Sequence, residues 1–228
     1  MPEVALAKSE LVLAPDRLWR SARPFWVAVF VLPLCLWHIT SDVYVYFRYG
    51  APSGQVWYVF SKLFGLYGAL LLWYQVVSTL LKKTRYACVL PRWTLLRHRY
   101  LGGMTLLFVA GHVAFFVTAV SLRKGVFAGS LLLPDFRDFY HSAITLGLVA
   151  KLLLLVAVLA AMGRKYIPGV WKGVHRGMLI VVALGLVHGF LIGTETRYGL
   201  YEIFYCALMA AIGVALWLRW REAEESRL

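Results

Sequence analysis

Apolar residues in this chain come in six long blocks, separated by short polar or basic stretches. The blocks fall at about 24–40, 62–81, 101–122, 142–163, 177–193 and 198–218. About 20 apolar residues cross a hydrocarbon core of about 30 Å as an α-helix. The pattern therefore predicts an all-α membrane protein with six transmembrane helices. The third block, Leu101 to Leu122, contains no Asp, Glu, Lys or Arg. The fifth, Gly177 to Gly193, is equally free of charge but short, and the preceding turn with His175 extends it.

Charge between the blocks predicts the orientation. The N-terminal segment carries Lys8, Arg17, Arg20 and Arg23. The connection between spans two and three carries Lys82, Lys83, Arg85, Arg92, Arg97 and Arg99. Arg164, Lys165, Lys172 and Arg176 lie between spans four and five, and Arg219, Arg221 and Arg227 end the chain. These seventeen cations share one side, against six on the other (Arg48, Lys62, Arg123, Lys124, Arg137 and Arg197). The positive-inside rule places both termini in the cytoplasm. The domain reading is a cytoplasmic segment at 1–23, a six-helix membrane domain at 24–220 and a cytoplasmic tail at 221–228. Glu3, Glu10 and Asp16 precede the first span, so it does not read as a cleaved leader.

Composition narrows the function classes. The chain is 61% hydrophobic, with a mean hydropathy of +0.70 over 228 residues. Six spans leave no length for a soluble catalytic domain, and no Gly-x-Gly-x-x-Gly follows a strand-like run. Any flavin or nicotinamide site is expected on another polypeptide. The net charge of +13 does not indicate nucleic acid, because the cations cluster at span ends, where anionic lipid and topology account for them. The basic 82–99 connection also suits an acidic cytoplasmic partner. Cys35, Cys88 and Cys206 show no metal-binding spacing and no Cys-x-x-Cys-His for attaching a c-type haem; they read as ordinary buried thiols. Trp19, Trp26, Trp37, Trp57, Trp217 and Trp220 fit aromatic belts at the membrane interfaces.

Four histidines carry the candidate chemistry. His98 and His112 lie on the third block, and His175 and His188 on or beside the fifth. Both blocks run in the same direction, so His98 pairs in depth with His175, and His112 with His188. Two helices with two imidazoles each, at different depths, suit the iron of two b-type haems, about 20 Å apart along the helices. Fourteen residues come within about 40° of whole turns, so His98 and His112 share a face. Thirteen leave His175 and His188 about 140° out of phase. That pair requires a distorted or tilted helix, for which Gly177, Gly185 and Gly189 offer places. Arg99 and Arg176, each directly after a histidine, suit haem propionates; as cations ending cytoplasmic helices they need no further role.

Other polar residues lie near or within the spans. His38, Asp42, Asp135, Asp138, His141, Glu195 and Glu202 are predicted near the outer surface. They read either as an acceptor site or as interfacial polar residues satisfied by water and headgroups. His38 and Asp42, one turn apart, are placed on one face. Lys151 lies inside span four, either snorkelling outward or facing the bundle to neutralise a propionate.

Leu66 to Gln75, His98-Arg99-Tyr100-Leu101-Gly102 with His112, Tyr140 to Gly147, and Trp171-x3-His175-Arg176 with His188 together resemble the ferric reductase-like transmembrane domain. The similarity spans roughly residues 60–195 and is most specific in the paired histidine spacings, which match NADPH oxidases and ferric reductases. The resemblance implies two b-haems ligated by His98, His112, His175 and His188. It implies electron flow from a cytoplasmic flavoprotein (FMN or FAD) or a quinol to ferric iron, oxygen or a periplasmic redox protein. A stand-alone core of this size is similar to the haem-binding membrane subunit of the bacterial periplasmic methionine-sulfoxide reductase system, at home in the inner membrane. Where that subunit shows Arg-Arg-x-Leu-Gly, this chain has His98-Arg99-Tyr100-Leu101-Gly102, which favours four ligands and two haems. Two other readings stand beside it: a quinone-linked cytochrome b subunit, and a haem-free membrane scaffold or carrier.

Overall fold

The computed structural model describes residues 15–90, 98–193 and 199–227, with side chains from residue 22 onward. The first fourteen residues, the side chains of Arg17, Trp19 and Arg20, and Arg92, Arg97, Glu195 and Arg197 lie outside the described residues. The fold is 82% helical, with no strand among the described residues. Six helical stretches are long and apolar enough to cross a membrane: Ala22–Thr40, Gln55–Leu81, His98–Lys124, Phe139–Met162, Trp171–Ile192 and Leu200–Glu225. All six predicted blocks reappear, and the chain is a multi-pass membrane protein.

The helices are α1 (Pro15–Thr40), a short α2 (Val43–Tyr49), α3 (Gln55–Leu81), α4 (His98–Lys124), α5 (Phe139–Met162), α6 (Trp171–Arg176), α7 (Met178–Ile192) and α8 (Leu200–Glu225). α3 begins seven residues before its predicted block. Gly54 makes this start possible: its φ is 76°, and a Cβ there would run into the Ala119 carbonyl. The earlier start places Lys62, the first residue of the predicted block, about two turns inside α3. Its ammonium lies 4.7 Å from the centre of the Tyr58 ring. α8 extends past its block to Glu225, ending in an Arg221–Glu225 pair at 3.0 Å.

α3 is the hub of the bundle. Just over half of its most apolar window, 56%, is buried, against 17% for α4 and for the α6–α7 span. Leu70 and Tyr74 are fully enclosed. In a lipid environment apolar faces gain little by meeting each other, so small residues and polar bonds choose the neighbours. The Trp73 indole donates to the Leu208 carbonyl of α8 (2.8 Å), and Gln75 Nε2 donates to Thr105 Oγ1 of α4 (2.8 Å). Gly68 and Gly111 bring the α3 and α4 backbones close, each facing a side chain of the other helix. α3 packs along α4, and α5 along α7, so each histidine-bearing helix lies against the helix before it.

Several predicted placements are corrected. Trp26 and Trp37 are buried and point into the bundle, donating to Val89 O (2.8 Å) and Val59 O (2.9 Å). An indole N–H seeks an acceptor when buried, and a connection or helix carbonyl supplies it. Trp57, Trp217 and Trp220 stay exposed, as a belt position requires. Cys35 and Cys206 are exposed and Cys88 is half-buried, so none of the three is a core thiol. His38 and Asp42 do not share a helical face. α1 stops at Thr40, and Asp42 adopts the left-handed conformation (φ 48°) that turns the chain into α2.

Candidate functional site

The two histidine pairs predicted from sequence come together in space. The His98 and His175 ring centres are 5.9 Å apart, with planes at 86°. Those of His112 and His188 are 6.3 Å apart, with planes at 75°. Metal–imidazole bonds of about 2.0–2.1 Å place two rings on one metal with centres roughly 6–6.5 Å apart. The His112–His188 separation falls in that range, and the His98–His175 separation lies just under it. His112 and His188 line one cavity between the α3–α4 and α5–α7 pairs.

The rings are held in the tautomer that ligation needs. His112 Nδ1 donates to Ser61 O of α3 at 2.8 Å. His188 Nδ1 donates to Ala143 O of α5 at 2.7 Å. A carbonyl on Nδ1 keeps the proton there and leaves the Nε2 lone pair for a metal. Ser61 also donates from Oγ to the His112 carbonyl at 2.9 Å, clamping the residue from both ends. His175 Nδ1 makes a longer approach to Ala157 O, 3.4 Å, and its ring is flanked by Trp171.

One turn beyond each acceptor carbonyl stands a glycine. A Cβ on Gly65 would lie 2.8 Å from His112 Nδ1, and one on Gly147 would lie 2.6 Å from His188 Cε1. Real Cβ atoms do not come that close, so only glycine leaves room for either ring. Sequence reasoning passed over Ser61 and Gly65, and took Ala143 and Gly147 only as part of a resembling stretch. The readable signal was a small residue followed four positions later by glycine in spans two and four (Ser61 and Gly65, Ala143 and Gly147).

A break in the second histidine helix offsets part of its phase mismatch. The span divides at Gly177 into α6 and α7. There the bonds tighten to three-residue spacing, Gly177 N to Val174 O (3.0 Å) and Ile180 N to Gly177 O (2.9 Å). A 3₁₀ turn winds the chain by about 120° per residue instead of about 100°. That overwinding runs in the direction that closes the mismatch between His175 and His188. Of the three glycines singled out, Gly177 makes the break, Gly189 faces Tyr205, and Gly185 meets nothing.

No protein family, characterised relative or solved structure matches this chain.

The remaining candidates separate. Arg99 and Arg176 are exposed beside the first histidine pair. Lys151 is half-buried and lines the same cavity as His112 and His188, which favours the bundle-facing alternative. His38 stays exposed, and Glu202 sits in the first turn of α8. Asp135, Arg137, Asp138 and His141 form one cluster where α5 begins. Arg137 bonds Asp135 at 2.7 Å; His141 Nδ1 donates to Asp138 Oδ2 at 2.7 Å, and His141 Nε2 accepts from Arg137 at 3.1 Å. Both ring nitrogens are then engaged, which leaves His141 no lone pair for iron. Among the described residues no group of three His, Cys, Asp or Glu is placed to hold a metal ion.

That cluster is a helix start. Asp138 is the N-cap of α5, accepting from the His141 amide at 2.8 Å. The amide bond, and then the His141 side chain, hold the Asp138 carboxyl below its ordinary range. Arg137 does the same for Asp135. A depressed carboxylate stabilises the fold above its unfolded value of about 3.9, and this is lost as pH falls through the folded value. Asp138→Ala is expected to lower the melting temperature of detergent-solubilised protein at neutral pH, with the deficit shrinking below about pH 4. A deficit that stays constant at low pH would rule out the capping carboxylate as its cause.

Proposed function

We propose that this chain is a di-haem b membrane subunit of the ferric reductase-like type, carrying electrons across a bacterial inner membrane. One observation carries the reading: two histidine pairs at different positions along the helices, with ring centres 5.9 and 6.3 Å apart, at or just under the separation that two imidazoles on one iron would have. The Nδ1–carbonyl bonds of His112 and His188 and the glycine-lined space beside their rings support it. When bound, two b-type haems would supply reversible one-electron chemistry at two points along the membrane normal.

The protein's own part is position and environment. The excess of Lys and Arg in the 82–99 and 164–176 connections argues for a cytoplasmic location of His98 and His175. His112 and His188 then form the outer pair. Arg99 and Arg176 offer cations to propionates at the cytoplasmic edge. Ser61 and Ala143 orient the outer imidazoles, and the apolar helices around them exclude water. The donor is a separate cytoplasmic flavoprotein or a quinol, and the acceptor is ferric iron, oxygen or a periplasmic redox protein.

The test is haem-to-protein stoichiometry on the purified, haem-replete chain, followed by potentiometric titration of its absorbance. Two b-type haems per chain with reducible Soret bands are expected. A chain that binds one haem refutes the two-site reading, and one that binds none refutes the haem reading altogether.

A further inference from the structure

Lys151 is a charged residue in the interior of a span, and its position is specific. On α5 it lies eight residues after Ala143, whose carbonyl holds His188, and six before Ala157, whose carbonyl faces His175. At 1.5 Å per residue these are about 12 and 9 Å along the helix. Lys151 thus sits at a depth between the two histidine pairs. It lines the cavity that His112 and His188 line, and also a second, apolar one against Leu106 and Ala110 of α4.

An ammonium at mid-membrane is expensive to keep unless an anion compensates it. Among the described residues every Asp and Glu lies in a connection or in the first or last turn of a helix. No ion pair to Lys151 exists among those residues. Negative charge entering the cavity would supply that compensation.

We infer that Lys151 is the electrostatic positioning residue of this path, a fixed cation between the two histidine pairs that favours negative charge arriving at either one. This rests on the di-haem reading. With haems held by the two pairs, each transfer would move one electron, oxidising the donor-side iron from ferrous to ferric and reducing the acceptor-side iron from ferric to ferrous, with no proton required. Lys151 stabilises the reduced state at both depths, so the path between the pairs is not left without a counter-charge. The same ammonium suits a propionate carboxylate, and the two sources of negative charge are separable by experiment.

The test uses the full-length, haem-replete protein with Lys151→Met, Lys151→Gln and Lys151→Arg, measuring haem content first and midpoint potentials second. A unit charge about 10 Å away at an effective dielectric of about 20 changes the reduction equilibrium about tenfold. For a one-electron couple that is about 59 mV. Both neutral variants are expected to keep their haem and titrate lower by about this amount at both sites, with arginine close to wild type. If instead the neutral variants lose haem while arginine retains it, the cation acts through a propionate, and the charge assignment still holds. Unchanged potentials in haem-replete Lys151→Met and Lys151→Gln would overturn the inference. So would loss of haem in all three variants, since charge would then not be the property that matters. A wild-type chain without haem removes the underlying reading and this inference with it, and is detected before any variant is compared.

Discussion

His112→Ala or His188→Ala is expected to remove one haem and leave the other. Each substitution deletes one of the two imidazoles whose ring centres lie 6.3 Å apart, and alanine offers no replacement ligand. The b-type absorbance should fall by about half, and the reductive titration should lose one of its two steps. The double variant should resemble either single one, because one missing ligand already breaks the site. His38→Ala and His141→Ala are the controls. His38 is exposed on α1, and the His141 nitrogens are occupied by Asp138 and Arg137. Both controls should retain the full spectrum. A full complement of haem in His112→Ala and His188→Ala would place the ligands elsewhere.

The second large effect is expected from residues with no chemistry of their own. Gly147→Val places a branched side chain where the His188 ring stands, since even a Cβ would come within 2.6 Å of it. Gly65→Val does the same to His112, whose Nδ1 would lie 2.8 Å from the new Cβ. Overpacking of this kind costs typically about 1–3 kcal/mol. If the ring gives way, that energy appears as about 5–150-fold weaker haem occupancy between His112 and His188. The first histidine pair is remote from both glycines and should be unaffected. Gly103→Ala is the matched control, because a Cβ there meets nothing within 4 Å. Haem content would be measured across the series. Equal content in Gly147→Val and Gly103→Ala would show that the space beside His188 is not needed.

The two predictions differ in how far the sequence foreshadowed them. His112 and His188 were legible because an imidazole within a charge-free block is chemically conspicuous and the spacing from His98 is close to whole turns. Gly65 and Gly147 were not, because glycine is common in membrane helices and its significance is the atom it lacks. That significance appears only once another helix places a ring there. The same holds for the Ser61 and Ala143 carbonyls, since every residue has a carbonyl and only packing selects the ones that accept. Trp26 and Trp37 illustrate the opposite error. Tryptophan near a span end fits an interface belt, yet here bonds to Val89 and Val59 turn both indoles inward. The charged outer candidates were legible individually, but their mutual pairing, which engages His141 completely, was not.

The sequence alone set the number of spans, the position of each histidine along its helix, and the clustering of cations in particular connections. Those are properties of one helix at a time, set by hydropathy, by a rise of 1.5 Å per residue and by a turn of about 100°. The tertiary structure alone decided which helices adjoin. It turned Lys151 toward the histidine cavity, placed a break at Gly177 between His175 and His188, and set a glycine beside the His112 and His188 rings. In lipid every apolar face is nearly equivalent, so helix neighbours are chosen by small residues and a few polar bonds between segments far apart in the chain. No window along the sequence contains both partners of such a contact.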